Sequence, residues 1–396
     1  MTELVHVEAV DGRARGLRGG RAGDRAGPLE LVRRVDLLLL GAVLGAVAYG
    51  LYAIDGITKL DPGGSALGRQ ALYAAVGLVL MAAAVFVDPR LYRRFAGVIY
   101  VGLLAGMGLV LATGAVTRGS RRWIDVGFFR FQPSEFGKLL IALFLAAFLA
   151  DRAKRVHELR VAIQAILLAA GPVLLVFVQP DIGTALVYGA VLAAALFVAG
   201  VRWAHLAAIG AVALLATLAV LWWLPASGVN VLKPYQAQRL TGVFHPSADP
   251  QGATYNVNQS ITTVGAGGFR GRGIQGATQT RLDYIPEHGT DFAFASLAEQ
   301  RGFVGASLLL LLYLLVVWRG LRAVTGAGDL FGAIVAGGIS FAFLFQVYVN
   351  VGMTIGIAPI TGIPLPFVSV GGSSMIANLA AMGILQAVHV RGRRRR

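Results

Sequence analysis

The sequence predicts an all-α polytopic membrane protein with ten transmembrane helices and a large extracellular loop between helices 7 and 8. Two observations lead to this fold class. Hydrophobic residues make up 56% of the 396 residues and charged residues only 14%, with a mean hydropathy of +0.69, whereas an ordinary soluble domain is about one quarter charged. In addition, ten apolar runs are long enough to cross a bilayer as helices: Leu37–Ile54, Gln70–Val87, Ala96–Val116, Phe136–Ala150, Val161–Val178, Ile182–Gly200, Leu206–Leu224, Phe303–Trp318, Phe331–Gly356 and Met375–Val390.

The basic residues set the expected orientation. Cytoplasmic segments of membrane proteins carry an excess of Lys and Arg, and most of the 35 Lys and Arg residues fall on one side when the N-terminus is placed in the cytoplasm. Residues 1–35 then form a flexible cytoplasmic arm, residues 36–390 the transmembrane domain with residues 225–302 outside, and residues 391–396 a basic cytoplasmic tail. Topology therefore accounts for the net charge of +15, and membrane lipids rather than nucleic acid are the expected partners.

The long outer loop is the predicted carrier of the chemistry. Its stretch Lys233–Gly302 is polar and Gly-rich, and loops of that length are usually functional or disordered. Aromatic and β-branched residues run through it, which disordered segments mostly lack. Near its end, RLDYIPEHGTDF gathers Asp283, Glu287 and Asp291. Such carboxylates can supply a general base, although three acids in a loop are often simply solvated.

Several Arg residues lie on the predicted outer side, although Lys and Arg usually concentrate on the cytoplasmic side. Arg118, Arg121, Arg122 and Arg130 share one short outer segment, and Arg69 begins the second helix on the same side. Guanidinium forks suit phosphate oxygens, so one interpretation is a site for a lipid-borne phosphate. The other is pairing with surface acids and lipid phosphates in general.

Polar residues also interrupt the apolar runs near their outer ends. Glu135 and Lys138 lie at i and i+3 on one face of the fourth helix, and such a pair is costly unless it faces a cavity. Asp181 either joins that cavity or caps the sixth helix. Ser369 and Ser373 lie in a Pro- and Gly-broken stretch, GIPLPFVSVGGSS, which persists at membrane depth only where it lines protein or a cavity.

Several long segments resemble one known family. The chain has no P-loop, zinc-protease or serine-hydrolase motif. The segments RWIDVGFFRFQPSEFGKL, VQPDIGTAL, PYQAQRLTGVFHPSADPQGATYNVNQS, GTDF and PLPFVSVGGSSM occur in the order found in the SEDS family of peptidoglycan glycosyltransferases. The resemblance covers about Leu37 to Val390, and QGATQT and GIPLPFVS resemble the elongation members more than the division members. It implies ten transmembrane helices with a large outer loop, in agreement with the independent count.

The resemblance also implies an activity and roles for residues. It implies polymerisation of lipid II into glycan strands in the bacterial cytoplasmic (inner) membrane, with Asp291 of GTDF as the essential acid and presumed base. The expected substrate-binding residues are those that match family positions or were singled out above: Arg69, Arg122, Trp123, Arg130, Glu135, Lys138, Asp181, Arg239, Asp283, Glu287, Thr290, Ser369 and Ser373.

Three departures from the family pattern affect the outer loop and its end. PEHGTDF replaces the usual PExHTDF, so His288 is displaced; His245 stands where Asn is usual; and Gln300 and Arg301 replace an acidic pair. The resemblance further implies a class B penicillin-binding transpeptidase as partner, beside lipid II and the nascent glycan strand, and leaves open a divalent cation, Mg²⁺ or Mn²⁺.

Three alternatives to an elongation-type polymerase stay open. The first is a division-type polymerase of the same family. The second is a lipid II flippase or other transporter with Glu135, Lys138 and Asp181 as a relay, although no pseudo-symmetric pair of broken helices supports it. The third is an inactive scaffold for the transpeptidase.

Overall fold

The computed structural model describes residues 28–58, 66–117, 120–125, 127, 129–229, 255–285 and 287–392. Within these residues ten helices, α1 to α10, are long and apolar enough to cross a membrane, which confirms the predicted number of spans. They are α1 Leu37–Thr58, α2 Ala66–Phe86, α3 Ala96–Thr113, α4 Pro133–Asp151, α5 Leu159–Val178, α6 Ile182–Ala199, α7 Trp203–Ala226, α8 Ala293–Gly326, α9 Leu330–Thr354 and α10 Gly372–Gly392. The chain is thus a multi-pass membrane protein.

Short elements join these spans. Short helices cover Pro28–Arg33 and Pro89–Arg94, and a 3₁₀ turn covers Ala153–Arg155. Between α7 and α8 lie the helices Tyr255–Gly267, Gly273–Gly276 and Thr278–Arg281. Between α3 and α4, the strands β1 Ala115–Thr117, β2 Ser120–Asp125 and β3 Arg130–Phe131 form a small antiparallel sheet in the order β1-β2-β3, which the sequence analysis did not predict.

Helix α8 begins well before its apolar run. It consists of two helical segments, residues 293–301 and the apolar run from Phe303, which meet at Gly302, where a φ of +66° is not helical. Glycine alone adopts such a φ readily. The kink frees the N–H of Phe303 from the helix, and this N–H donates instead to the carbonyl of Gly268 at 2.9 Å. The segment between α7 and α8 is therefore hydrogen-bonded to the kink.

The core of the bundle is built around α10 and α9. In their most apolar stretches 94% and 72% of residues are buried, whereas α7 buries none. Helix α10 packs closely on α2: a Cβ added to Gly383 would stand 2.4 Å from the carbonyl oxygen of Met81. Helices α9 and α10 thus form the fixed centre against which the other helices and the outer segments pack.

A buried polar cluster closes the end of the bundle where α1 begins. Arg319 Nε of α8 donates to Asp36 Oδ2 at 2.6 Å. Gln386 of α10 exchanges two hydrogen bonds with the backbone of Asp36, at 3.0 and 2.9 Å. The cluster therefore ties α1, α8 and α10 together.

Candidate active site

The first turns of the even-numbered helices meet at one end of the bundle. Gln70 Nε2 of α2 donates to the carbonyl of Ser369, just before α10, at 3.1 Å. Ser369 Oγ donates to the carbonyl of Thr290, just before α8, at 2.5 Å. Gln132, which precedes α4, reaches Asp181, which precedes α6, through Nε2 and Oδ2 at 3.4 Å. Helix N-termini carry partial positive charge and favour anions, so this end of the bundle suits an anionic ligand.

Asp291, the predicted base, lies half-buried two residues before α8. Asn350 of α9 holds its backbone, because Asn350 Nδ2 donates to the carbonyl of Asp291 at 2.9 Å and to that of Ile363 at 2.7 Å. Its carboxylate faces the segment that leads to α10: a Cβ added to Gly362 would stand 3.4 Å from Asp291 Oδ2. The acid is therefore held between α9 and a non-helical segment whose own position is fixed.

The two predicted serines brace that non-helical segment. Besides its bond to Thr290, Ser369 Oγ accepts from Leu365 N at 2.8 Å. Ser373 Oγ donates to the carbonyl of Arg130 at 3.0 Å and accepts from Gln132 N at 2.9 Å. Both serines are buried, and each joins two separate segments of this end. Such broken backbone is tolerated at membrane depth because it is buried in protein and hydrogen-bonded there.

Glu135 and Lys138 form a buried ion pair beside a small cavity. Lys138 Nζ lies 2.7 Å from Glu135 Oε2 and 2.7 Å from Gln346 Oε1 of α9, and the two charged side chains are 7% and 3% exposed. The cavity is also lined by Phe343 and Asn378 and has a volume of about 20 Å³, enough for one water. The pair shares one helix face, as its spacing predicts, and borders this small cavity; its part in substrate binding stays a prediction.

Asp181 caps α6, as one of its two interpretations proposed. Its Oδ1 accepts from Thr184 N at 3.1 Å and its Oδ2 from Thr184 Oγ1 at 3.0 Å. Arg122 braces the same turn: Nη1 lies 3.8 Å from Asp181 Oδ2, Nε donates to the carbonyl of Gln179 at 3.0 Å, and Nη2 donates to that of Pro180. Arg122 would have to exchange these partners to bind a diphosphate, so its predicted role stays a prediction.

Among the predicted site residues that the structure describes, Arg130 and Arg69 are the exposed cations. The Arg130 side chain is 68% exposed, with Nε 3.9 Å from Asp125 Oδ2. Arg69 is exposed in the first turn of α2, and Trp123 is half-buried in β2. The two Arg side chains are therefore accessible to a ligand larger than the small cavity can hold.

The segment before Asp291 has an unusual backbone. Asp283 and Glu287 have φ of +53° and +65°, a region that few residues other than glycine adopt. Asp283 Oδ1 lies 3.3 Å from His288 Nδ1, and Glu287 Oε2 accepts from Thr290 Oγ1 at 2.7 Å. The displaced His288 thus has a local partner, and these side chains shape the turn that leads to Asp291.

Two sequence predictions find no further support in the described residues. Arg239 lies outside them. Within the described ranges no three His, Asp or Glu side chains gather as metal ligands. The divalent cation stays a prediction.

Sequence reasoning missed several buried polar residues that position this site. Glu299 of α8 is fully buried. Its carboxylate accepts from Gln279 N and Thr280 N at 2.9 Å each and from Thr280 Oγ1 at 2.7 Å, which fixes the loop to α8. Gln346 and Asn350 lie four residues apart in the apolar run of α9. That polar spacing within a span was the available signal, since intramembrane polar residues usually face a functional interior.

The fold and this end of the bundle define a class: a polytopic membrane protein that gathers an acid, a buried ion pair and exposed Arg side chains where helix N-termini meet. The chain belongs to the SEDS family, because the family model FTSW_RODA_SPOVE, described as "Cell cycle protein", matches residues 31–394.

Curated relatives and solved structures agree with the family. The chain is 36% identical over 355 residues to peptidoglycan glycosyltransferase MrdB of Escherichia coli (strain K12), covering 90% of this chain and 93% of that protein. It is 37% identical over 364 residues to stage V sporulation protein E of Bacillus subtilis (strain 168), covering 91% and 96%.

Two solved structures are similar over 90% of this chain. One is a chain of a peptidoglycan synthase complex that coordinates polymerization and crosslinking, with a TM-score of 0.77, 34% identity and 98% of that chain covered. The other is the rod shape determining protein RodA of Thermus thermophilus, with a TM-score of 0.66, 29% identity and 96% of that chain covered.

Proposed function

We propose that this chain polymerises lipid II into glycan strands during cell elongation, with Asp291 as the general base. Family membership and relatives named as peptidoglycan glycosyltransferases support the class of activity, and the chain is accordingly a peptidoglycan glycosyltransferase. The likeness to RodA supports the elongation role. The observation that carries the catalytic assignment is the position of Asp291, anchored by Asn350 where several helix N-termini meet.

The proposed reaction is a glycosyl transfer between lipid-linked chains. Asp291 accepts the proton of an acceptor sugar hydroxyl, whose oxygen attacks the anomeric carbon of the donor disaccharide. The bond from that carbon to the phosphate oxygen breaks, and polyprenyl diphosphate leaves with the electron pair. Negative charge grows on the departing diphosphate, so positive groups held in place beforehand stabilise the transition state. Arg130, Arg69 and the helix N-termini are suited to this task, and Arg122 joins them if it leaves the α5–α6 turn.

The buried pair has a separate proposed task. Lys138 is neutralised by Glu135 and hydrogen-bonded to Gln346, and the cavity beside it has room for about one water. It is therefore not a ready anion site by itself. We assign it to orienting the polar groups at the inner edge of the substrate site.

The location and partner follow from the same proposal. The substrate is displayed on the outer face of the bacterial cytoplasmic membrane, so the site faces outward and both termini face the cytoplasm, as the distribution of basic residues predicts. The likeness to a chain of a polymerising and crosslinking complex supports a class B penicillin-binding transpeptidase as partner.

The test is polymerisation of purified lipid II by the chain assembled with its transpeptidase. We expect Asp291→Ala to lose polymer formation by a factor of about 10² or more, since general base catalysis contributes about 10²–10⁴-fold. A matched control is Asp151→Ala, which removes an exposed carboxylate that pairs with Arg93 at the opposite end of α4 and should leave the rate unchanged.

Two outcomes would contradict the proposal. Full polymerase activity of Asp291→Ala would show that Asp291 is not the general base. Movement of lipid II across vesicle membranes by the pure protein, with no polymer formed by the assembled complex, would favour the transporter alternative.

A further inference from the structure

Two amide side chains of α9 contact the two parts of the candidate site: Gln346 contacts the Glu135–Lys138 pair, and Asn350 contacts the backbone of Asp291. Gln346 and Asn350 are 2% and 0% exposed. Residues four apart in an α-helix lie on the same face, about 6 Å apart along the axis. Neither residue is among those expected from the sequence to bind substrate. Their positions make α9 the shared support of Lys138 and Asp291.

Each amide holds one half of the site. Gln346 Oε1 accepts from Lys138 Nζ at 2.7 Å, while Gln346 Nε2 donates to the carbonyl of Ala342, one turn earlier, at 3.2 Å. This second bond fixes which way the amide points. Asn350 Nδ2 donates to the carbonyls of both Asp291 and Ile363. Ile363 adjoins Gly362, which the Asp291 carboxylate faces. The NH₂ group of Asn350 therefore holds both the backbone of Asp291 and the segment beside its carboxylate.

We propose that Gln346 and Asn350 are positioning residues that fix the spacing between Asp291 and the Lys138–Glu135 pair. This inference rests on the proposed function. The two amides hold the reacting groups in position and take no part in the proton transfer. Neither amide gains or loses a proton near neutral pH, so both act through the groups they hold. A displacement of about 1 Å at a reacting group can lower a rate by about 10²-fold.

A purely structural role predicts a different result. Buried polar groups that only satisfy one another affect stability, and their loss lowers the folded fraction. The turnover of each folded molecule would then stay the same. A positioning role instead lowers kcat per folded molecule and leaves KM almost unchanged, because substrate still binds but reacts from a displaced geometry.

The experiment compares four variants in the assembled complex with purified lipid II. They are Asn350→Ala, Gln346→Ala, the double variant, and Ser340→Ala as matched control. Ser340 is another buried polar residue of α9, 3% exposed, whose hydroxyl has no hydrogen-bond partner among the described residues. Rates are normalised to folded protein, measured by size-exclusion chromatography and thermal unfolding.

We expect each single substitution at 346 or 350 to lower kcat by about 10–100-fold with KM changed less than about 3-fold. The double variant should be no worse than about the poorer single, because spacing that is already lost cannot be lost again. Ser340→Ala should keep the wild-type kcat. If Asn350→Ala does not fold, Asn350→Leu fills a similar volume, lacks the NH₂ donor without adding a charge and should show the same loss of kcat.

The inference is overturned if Asn350→Ala keeps the wild-type kcat per folded molecule, or if Asn350→Leu does so where Asn350→Ala does not fold. So does a double variant whose loss equals the product of the two single losses. Failure of the proposed function is recognised separately. An Asp291→Ala complex that polymerises normally excludes Asp291 as the base. An inactive Asp291→Ala together with a fully active Asn350→Ala excludes only the positioning role.

Discussion

A single methyl group at residue 362 should lower activity far more than the strain it introduces can explain. Gly362 has φ of +70°, and a Cβ there would stand 3.4 Å from Asp291 Oδ2. Gly362→Ala therefore has two effects, backbone strain and a methyl group against the carboxylate. Gly200, which ends α6, has φ of +87° and no atom within 4 Å of an added Cβ. Gly200→Ala therefore introduces the strain alone.

The two substitutions should cost similar stability. Placing a non-glycine residue in the left-handed region costs about 1–2 kcal/mol, and a contact of 3.4 Å adds little repulsion. The methyl group at 362 would, however, occupy the space beside the base, where a hydroxyl must approach within about 2.6–3.2 Å to give up its proton. A displacement of about 1 Å there predicts a loss of kcat of about 10²-fold.

The assay pairs thermal unfolding in detergent with polymerisation of lipid II by the assembled complex. We expect both variants to unfold at similar, slightly lowered temperatures, and only Gly362→Ala to lose turnover. Equal turnover of the two variants per folded molecule would contradict this prediction, because it would show that the acceptor does not approach Asp291 from the side of Gly362.

Two further predictions concern buried charges. Glu299→Ala should destabilise the protein by about 3 kcal/mol, because it leaves the backbone N–H and hydroxyl of Thr280 and a second N–H without their carboxylate. Thermal unfolding measures this loss of stability. As a control, Glu158→Ala removes an exposed partner of Arg155 and should unfold like the wild type. Equal unfolding temperatures of Glu299→Ala and Glu158→Ala would contradict a stabilising role for the Glu299 carboxylate. Lys138→Met should cost about 3–5 kcal/mol because Glu135 is left buried and unpaired. Adding Glu135→Gln to Lys138→Met should restore much of the stability without restoring polymerisation, and a double variant as unstable as Lys138→Met would argue against a buried ion pair.

Much of the architecture follows from hydropathy because each span is an apolar run of bilayer length. The ten spans were predicted on that ground and are confirmed. Glu135 and Lys138 are three residues apart in the sequence, and in a helix this spacing places them on one face. The short distance between the two charged groups follows from that geometry. The capping role of Asp181 was one of two local interpretations, and the hydrogen bonds to Thr184 confirm it, while a role of Asp181 in substrate binding stays a prediction.

The remaining features depend on contacts between residues far apart in the chain. The predicted start of the eighth span at Phe303 agrees with the non-helical backbone at Gly302, but the helical residues 293–301 before it were not predicted, because they are less apolar than the run that follows. The hydroxyl of Ser369 bonds to Thr290 and Leu365, contacts that the sequence did not predict, and its part in substrate binding stays a prediction. Asn350 escaped notice because its partners lie at residues 291 and 363. The spacing of Gln346 and Asn350 within an apolar span indicates a polar interior, but it does not indicate which distant residues these side chains contact.

The most direct measurement is an experimental structure of the assembled complex with a non-reactive lipid-linked diphosphate sugar and an acceptor saccharide. We expect the diphosphate near Arg130 and the first turns of α4, α6 and α10, with an acceptor hydroxyl within about 2.6–3.2 Å of the Asp291 carboxylate. A diphosphate bound at the opposite end of the bundle, or an acceptor hydroxyl separated from Asp291 by packed side chains, would contradict this expectation.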